Sequence, residues 1–313
     1  MRVTGNSFTT ALIDQLNSLA ARQYRLQNEA ASGMRIQAPS DDPTGMQQAL
    51  DLQAETASVA QFTQNISTLQ NRANAAYSGI SSLQTISNRI GDLVTGVDGT
   101  TSATAMQADA TEVTQLIQQA VQVLNAKNGD QYIFGGTATG QPPFTVTTDA
   151  NGNVTGVTYN GNSEVTKSQI DSSTTLSVDV PGENNTSSGA RGLVADSRYG
   201  ADFFNHLIAL QNDLLAGDSH AVTTTDAPAL QKDADNLNYH VANNGAIQAR
   251  LTAAASLLSS RQSGLQTSLT NVAGADMTQT LVQLSQAQNA YQAALQSSAT
   301  ILQLQTSLLA YLP

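Results

Sequence analysis

Aspartates and histidines are the residues of this 313-residue chain that could do chemistry. The densest acidic pair is Asp41-Asp42, held between Pro39 and Pro43 in the stretch ASGMRIQAPSDDPTG, residues 31–45. Two adjacent carboxylates could share a proton or hold a divalent cation, provided a cleft and further ligands converge on them. DANGNV, from Asp149, begins like an EF-hand loop. Val154 stands where that loop needs glycine, however, and Asn160 where it needs glutamate. KDADNLNYH, from Lys232, fails the same pattern at its fifth and sixth positions and lies in a helical stripe. The histidines are His206, His220 and His240, all in or beside helical segments and none at metal-ligand spacing. Each is expected to be a surface or interface residue. No phosphate loop, GxSxG or HExxH occurs. Without cysteine there are no disulfides, thiolate nucleophiles or cysteine-ligated metals. The expectation is a chain with no catalytic residue, no metal site and no cofactor: not an enzyme.

The acidic pair has a local explanation instead. Gly33 suits the left-handed position that ends a helix. Asp42 precedes a proline, which pushes it toward an extended conformation, as a helix N-cap requires. Pro43 then takes the first helical position, where a missing N–H costs nothing. Asp41 adds negative charge near the positive end of the helix dipole. Gly33, Arg35, Pro39, Ser40, Asp41, Asp42 and Pro43 thus read as the turn that ends one helix and starts a longer one.

Proline placement marks the elements around this turn. No proline interrupts the chain between Pro43 and Pro142, or between Pro228 and Pro313, so long helices can fill both gaps. In the first gap, Leu52, Val59, Phe62, Ile66, Leu69, Ala73, Ala76, Ile80, Leu83, Ile90 and Val94 recur at steps of three and four. That is a coiled-coil pattern. A helix from Thr44 to Thr95 would be roughly 80 Å long, ending at Gly96 and Gly99. A shorter helix follows, striped by Met106, Val113, Ile117, Ala120 and Leu124 and closed by Asn128-Gly129. In the second gap, Leu230, Leu237, Asn244, Leu251, Leu258, Leu265 and Val272 lie seven apart. Asn244 either fixes register in an apolar row or is an exposed residue beside Gly245. Between the gaps, FTVTTDANGNVTGVTYNG and TTLSVDVPG alternate and are rich in Thr and Val. They predict a hairpin with its turn at Asp149 to Asn153, and further short strands. Phe203, Leu207, Leu210 and Leu214 mark a returning helix.

The two ends differ from the rest. Phe8, Leu12, Leu16, Leu19 and Leu26 stripe the N-terminal segment. Met277, Leu281, Leu284, Tyr291, Leu295, Leu302, Leu309 and Leu312 stripe the C-terminal one, with a second edge at Ala287, Ala294, Ile301 and Leu308. No charged residue follows Asp276. Such a helix needs burial on more than one side. The fold class expected is mainly α with a small β-rich insert: a long coiled-coil bundle of N- and C-terminal segments carrying an outer β domain. The segments are 1–42, the N-terminal helix and turn; 43–139 and 199–274, a helical rod; 140–198, the β-rich outer domain; and 275–313, the C-terminal helix.

Composition narrows the partners. Net charge is -11, which repels a phosphate backbone, so no nucleic acid is expected. Only 12% of residues are charged, so Gln, Ser, Thr and Asn form the surface. That suits a subunit packing against copies of itself. There is no run of 18 apolar residues and no signal-peptide pattern at the N-terminus, so no membrane insertion is expected. On these grounds alone the chain reads as cytosolic.

The helix, SGMRIQAPSDDPTG and long heptad helix together resemble the N-terminal signature of the flagellin superfamily. The PSDDP form is closer to the hook–filament junction branch than to the filament subunits. DQYIFGGTATGQPPF, Asp130 to Phe144, and the stretch ADMTQTLVQLSQAQNAYQAALQSSATILQLQTSLLAYL resemble the same branch, and the likeness runs along the whole chain. It implies an extracellular structural protein of the bacterial flagellum, exported unfolded without a cleaved signal peptide, which reverses the cytosolic reading. It implies copies of itself in a ring, the first hook-associated protein on the hook side, flagellin on the filament side, and an export chaperone gripping the C-terminal helix. The filament subunit itself, another secreted coiled-coil surface protein and an enzyme on a helical stalk are the alternatives.

Overall fold

A computed structural model describes residues 5–309. Seven helices dominate them: α1 (Gly5–Ser32), α2 (Pro43–Gly96), α3 (Ala103–Leu124), α4 (Phe203–Ala216), α5 (Ser219–Ala221), α6 (Ala227–Ala273) and α7 (Met277–Leu309). Four small sheets lie between α3 and α4. They are the hairpins β1 (Lys127–Asn128) with β2 (Gln131–Tyr132), β3 (Phe144–Thr148) with β4 (Val154–Tyr159), and β5 (Ser168–Gln169) with β6 (Thr175–Leu176). The fourth joins β7 (Glu183–Asn184), β8 (Ala195–Asp196) and β9 (Ala201–Asp202). The fold is therefore mainly helical with a small β-rich insert, as the periodicities predict. Packing divides the chain into two units, Met1–Ser58 with Ser260–Pro313, and Val59–Ser259. No helix is long and apolar enough to cross a membrane, among the described residues.

In the Val59–Ser259 unit, the α2 stripe is buried as its spacing requires: Val59, Ile66, Leu69, Ala73, Ala76, Ile80, Leu83 and Ile90 are all inside. The heptad row of α6 faces it. Asn244 is buried and donates its Nδ2 hydrogen to the Ala73 carbonyl at 3.1 Å, which settles its two readings in favour of an inward role. An apolar Asn244 substitute would leave that carbonyl without this partner, so the residue favours one alignment of α6 on α2.

Much of the insert's buried apolar surface joins the helical core. Phe144, Val154, Val180, Leu193 and Val194 belong to one hydrophobic cluster with α2, α3 and α4. α3 ends at Leu124, four residues before the Asn128-Gly129 stop expected from sequence. The reason is Asn125, whose amide is used sideways. Its Nδ2 donates to the Phe144 carbonyl at 2.8 Å and its Oδ1 accepts from the Phe144 N–H at 2.9 Å. Asn128-Gly129 instead turns the β1–β2 hairpin, with Gly129 at φ +63°. The Asp149–Asn153 turn is where the alternation places it, and Asp149 Oδ1 accepts from the N–H groups of Asn151 and Asn153. Buried Gln211 of α4 ties the hairpin down: it donates to the Val154 carbonyl at 3.1 Å and accepts from Thr114 of α3 at 2.8 Å. Phe134, from the FGG stretch, is fully buried against α2 at Gly79, where a Cβ would lie 2.7 Å from its ring.

Candidate assembly surface and the joint beneath it

Within the unit of the two chain ends, the 33–43 turn is a joint between helices. Gly33, at φ +68°, ends α1, and its N–H donates to the Glu29 carbonyl at 2.9 Å. Pro39, Ser40 and Asp41 turn the chain. Pro43 opens α2, and Asp42 Oδ1 accepts from the Gly45 N–H at 2.9 Å, a cap on a donor the helix leaves free. Asp41 acts differently from the expectation. Its Oδ2 accepts from the N–H groups of Gln37 and Ala38, at 3.1 and 3.0 Å. Those two backbone donors hold its carboxyl below the usual range. It closes the loop on itself rather than serving the helix dipole.

This turn is bound to a second break in the chain. Met34 and Gly274 form an antiparallel bridge. The Arg35 N–H donates to the Ala273 carbonyl at 2.7 Å, and the Ala275 N–H to the Gly33 carbonyl at 2.9 Å. The Arg35 guanidinium donates to the Val272 carbonyl at 3.3 Å, covering the free C-terminal end of α6, and lies 3.6 Å from Asp42. Ile36, Ala49 and Ala273 are buried together under the joint. Gly45 leaves room for both side chains: a Cβ would lie 2.5 Å from Ile36 Cδ1 and 2.6 Å from Asp42 Oδ2, so one of them would have to shift. Asp276 then caps α7 by accepting from the N–H groups of Thr278 and Gln279. Sequence gave no sign that the two breaks pair, since 237 positions separate Arg35 from Val272.

Beyond the joint, α1 packs on α7. Leu26 is fully buried, while Leu12, Leu16 and Leu19 are half-buried. On α7 the inward seam runs through Thr280, Leu284, Ala287, Tyr291, Ala294, Ser298 and Ile301, at steps of four and three. Much of it is small or polar, so it buries little apolar area. Met277, Leu281 and Leu295 fall off that seam and are 40%, 52% and 44% exposed, joined by Val282 at 52%. On α1, Ile13 and Tyr24 are likewise outward. The backbones at Phe8, Leu302, Leu308 and Leu309 are helical, and Leu312 lies outside the described residues. An uncharged helix with apolar side chains on two faces, only one of them covered, is a surface suited to further helices.

Among the described residues no group of three His, Asp or Glu side chains is placed to hold a metal. The histidine expectation needs correction for two of the three. His240 is buried, with Nε2 3.0 Å from the Gly192 carbonyl, and burial pushes its pKa down to about 4. His206 Nδ1 lies 2.7 Å from Oδ2 of buried Asp233, whose carboxylate raises its pKa. His240 ties the chain return through 191–202 to α6 at Gly192, and Asp233 of α6 joins both His206 of α4 and the Asp202 N–H, from which it accepts at 2.8 Å. Heptad spacing assigns to the interior the α6 row from Leu230 through Asn244 to Val272. The buried polar face made by Asp233, Asn236 and His240 follows a different side of the same helix.

Residues 3–139 match the family model for the bacterial flagellin N-terminal helical region. That part of the chain is similar to the flagellins at the level of the helical region. The flagellar hook-associated protein 3 of Escherichia coli K12 is 27% identical over 256 residues, spanning 78% of each chain. A putative flagellar hook-associated protein from Vibrio parahaemolyticus has the same fold at TM-score 0.62 and 17% identity, over 75% of this chain and all of that one. The flagellar junction protein FlgL of Legionella pneumophila matches at TM-score 0.51 and 13% identity, over 74% and 99%.

Proposed function

We infer that this chain is a structural subunit of the flagellum at the hook–filament junction, an adaptor on which flagellin polymerises. The observation that carries this reading is the likeness to hook-associated protein 3 over 78% of both chains, a longer stretch than the N-terminal helical region alone. In this reading segments 1–42 and 275–313 form an inner helical layer. Segments 43–139 and 199–274 form a rod, and 140–198 the outer part. The uncovered apolar face of α7 is filled by copies of the same chain in a ring, and before export by a chaperone. The first hook-associated protein lies on one side and flagellin on the other. The role is mechanical, requires no catalysis, and is exercised outside the cell after export without a cleaved signal peptide.

An in-frame deletion in the source bacterium tests it. Hooks without filaments, with unpolymerised flagellin in the medium, are the expected result. Bare hooks with no released flagellin would make the chain the filament subunit instead, and normal filaments would place it outside the junction.

A further inference from the structure

Arginines in this protein generally have a carboxylate: Arg72 pairs with Asp179, Arg89 with Glu112, Arg198 with Asp196 and Arg261 with Glu55. Among the described residues Arg191 has none, although it is half-buried. Its guanidinium carbon lies 3.6 Å from the centroid of the Tyr199 ring and 4.3 Å from that of Tyr239. Its Nε donates to Oδ1 of Asn236 at 2.6 Å. Among the described residues neither Nη atom has an acceptor. The backbone that carries it is anchored from below. Buried Asn236 donates to the carbonyls of Gly192 and Leu193 at 3.0 and 2.7 Å, His240 meets the Gly192 carbonyl, and the Gly192 N–H donates to buried Asp196 at 3.0 Å.

An arginine already held by two ring faces and one hydrogen bond loses little rotamer freedom when it binds. Its two Nη atoms form the fork that matches a carboxylate. Arginine and tyrosine are also the residues around which interface energy concentrates, and Tyr199 and Tyr239 are 51% and 44% exposed. We propose that Arg191, clamped between Tyr199 and Tyr239, is a contact point that takes a carboxylate from a second copy of this chain. This rests on the reading of the protein as a self-assembling junction subunit. Charge favours a second copy as the donor. Each chain carries 24 acidic and 13 basic residues, so neighbouring copies repel unless a fixed cation faces an acidic surface. Such a surface exists in the same unit, where Asp92, Asp109 and Glu112 crowd the single cation of Arg89. A head-to-tail contact between Arg191 on one copy and this acidic surface on the next repeats around a ring.

The test is a photocrosslink in the full chain, made in the source bacterium lacking its own copy. Tyr199→p-benzoylphenylalanine keeps an aromatic ring at the clamp, and flagella are sheared and irradiated. The expected product has the mass of two copies of this chain, and it is lost with Arg191→Glu and with Arg191→Met, which keeps the stem between the rings but removes the fork. Unchanged melting of the purified Arg191→Met chain shows that the loss is not unfolding. A product containing a different flagellar protein, or no product in cells that swim normally, overturns the proposal. So do normal filaments in the Arg191→Glu strain. If those filaments appear while the deletion strain has bare hooks, only the Arg191 contact fails. Normal filaments in the deletion strain would remove the junction reading as well.

Discussion

The two units of this protein bury polar groups and expose apolar ones in opposite proportion. The Val59–Ser259 unit encloses Asp196, Gln211, Asp233, Asn236, His240 and Asn244 and supplies a hydrogen bond to each. It has a large continuous hydrophobic cluster besides. The unit of the chain ends encloses a small core at Ile36, Ala49 and Ala273, and a helix seam with alanine, serine and threonine in it. It leaves Tyr24, Leu281, Val282 and Leu295 in water. Apart from Asp226 Oδ2 and His240 Nδ1, which have no partner among the described residues, the buried polar groups of the larger unit are hydrogen-bonded and so specify one arrangement of it. A thin seam with uncovered leucines gives helices that bury little of their apolar surface within the unit of the chain ends, although helices depend on such packing for stability. The contrast gives the larger unit a fixed shape and leaves the unit of the chain ends with apolar side chains still uncovered.

The largest test of that contrast is removal of residues 276–313. Filament attachment should be lost altogether, while the melting transition of the Val59–Ser259 unit persists in calorimetry. Disappearance of that transition would mean the larger unit is not self-sufficient. Next in size is Phe134→Ala, which empties a fully buried ring site and should cost about 3–5 kcal/mol, read as a shift in denaturant midpoint. A comparable loss from Leu295→Ala in the purified chain would erase the distinction between the units.

Acid should act on the larger unit in a way that one substitution exposes. The folded pKa of His240 is depressed to about 4 by burial. Below pH 6.5 the unfolded chain takes up that proton and the folded one does not, so stability is lost between pH 6.5 and 4. Its size is about 3 kcal/mol, at 1.36 kcal/mol per unit. Asp226 opposes it. Burial, and then repulsion from Asp213, raise its carboxyl to about 7. Its stabilising contribution is therefore present below pH 3.8 and lost as pH rises through 7. In Asp226→Asn the thermal midpoint should fall more steeply from pH 6.5 to 4 than in the parent, and should be higher than the parent's at pH 8. Parallel pH profiles for the two would contradict the opposition. The smallest effect belongs to the joint. Asp42→Ala removes the α2 cap and should cost about 0.5–2 kcal/mol, confined to the unit of the chain ends. Hydrogen exchange at Gly45 and Met46 should rise, with exchange at Asn236 unchanged.

Much of this was legible beforehand because helical burial repeats in the chain itself. The rows through Leu52–Val94 and Leu230–Val272, the Asp149–Asn153 turn and the Asp42-Pro43 start each depend on residues within a few positions of one another. Asp41 was misread because a carboxylate beside a helix start can also accept from the loop before it, and local sequence does not choose between the two. His240 and Asn236 were missed since polar residues on a helix read as solvent-facing until something polar is placed opposite. The residues opposite are the backbone carbonyls of Gly192 and Leu193, some 40 positions away.

What the sequence determined by itself was therefore the helices, the breaks between them and the uncharged, doubly apolar C-terminal segment, because period, proline, glycine and charge act over short separations. What only the tertiary structure decided was which face of α7 is covered, that the break at Gly33 is bridged to the one at Gly274, and that Arg191 is held between Tyr199 and Tyr239 with its fork unpaired. Each of these depends on where distant backbone atoms end up, and no property of a residue's neighbours in the chain fixes that.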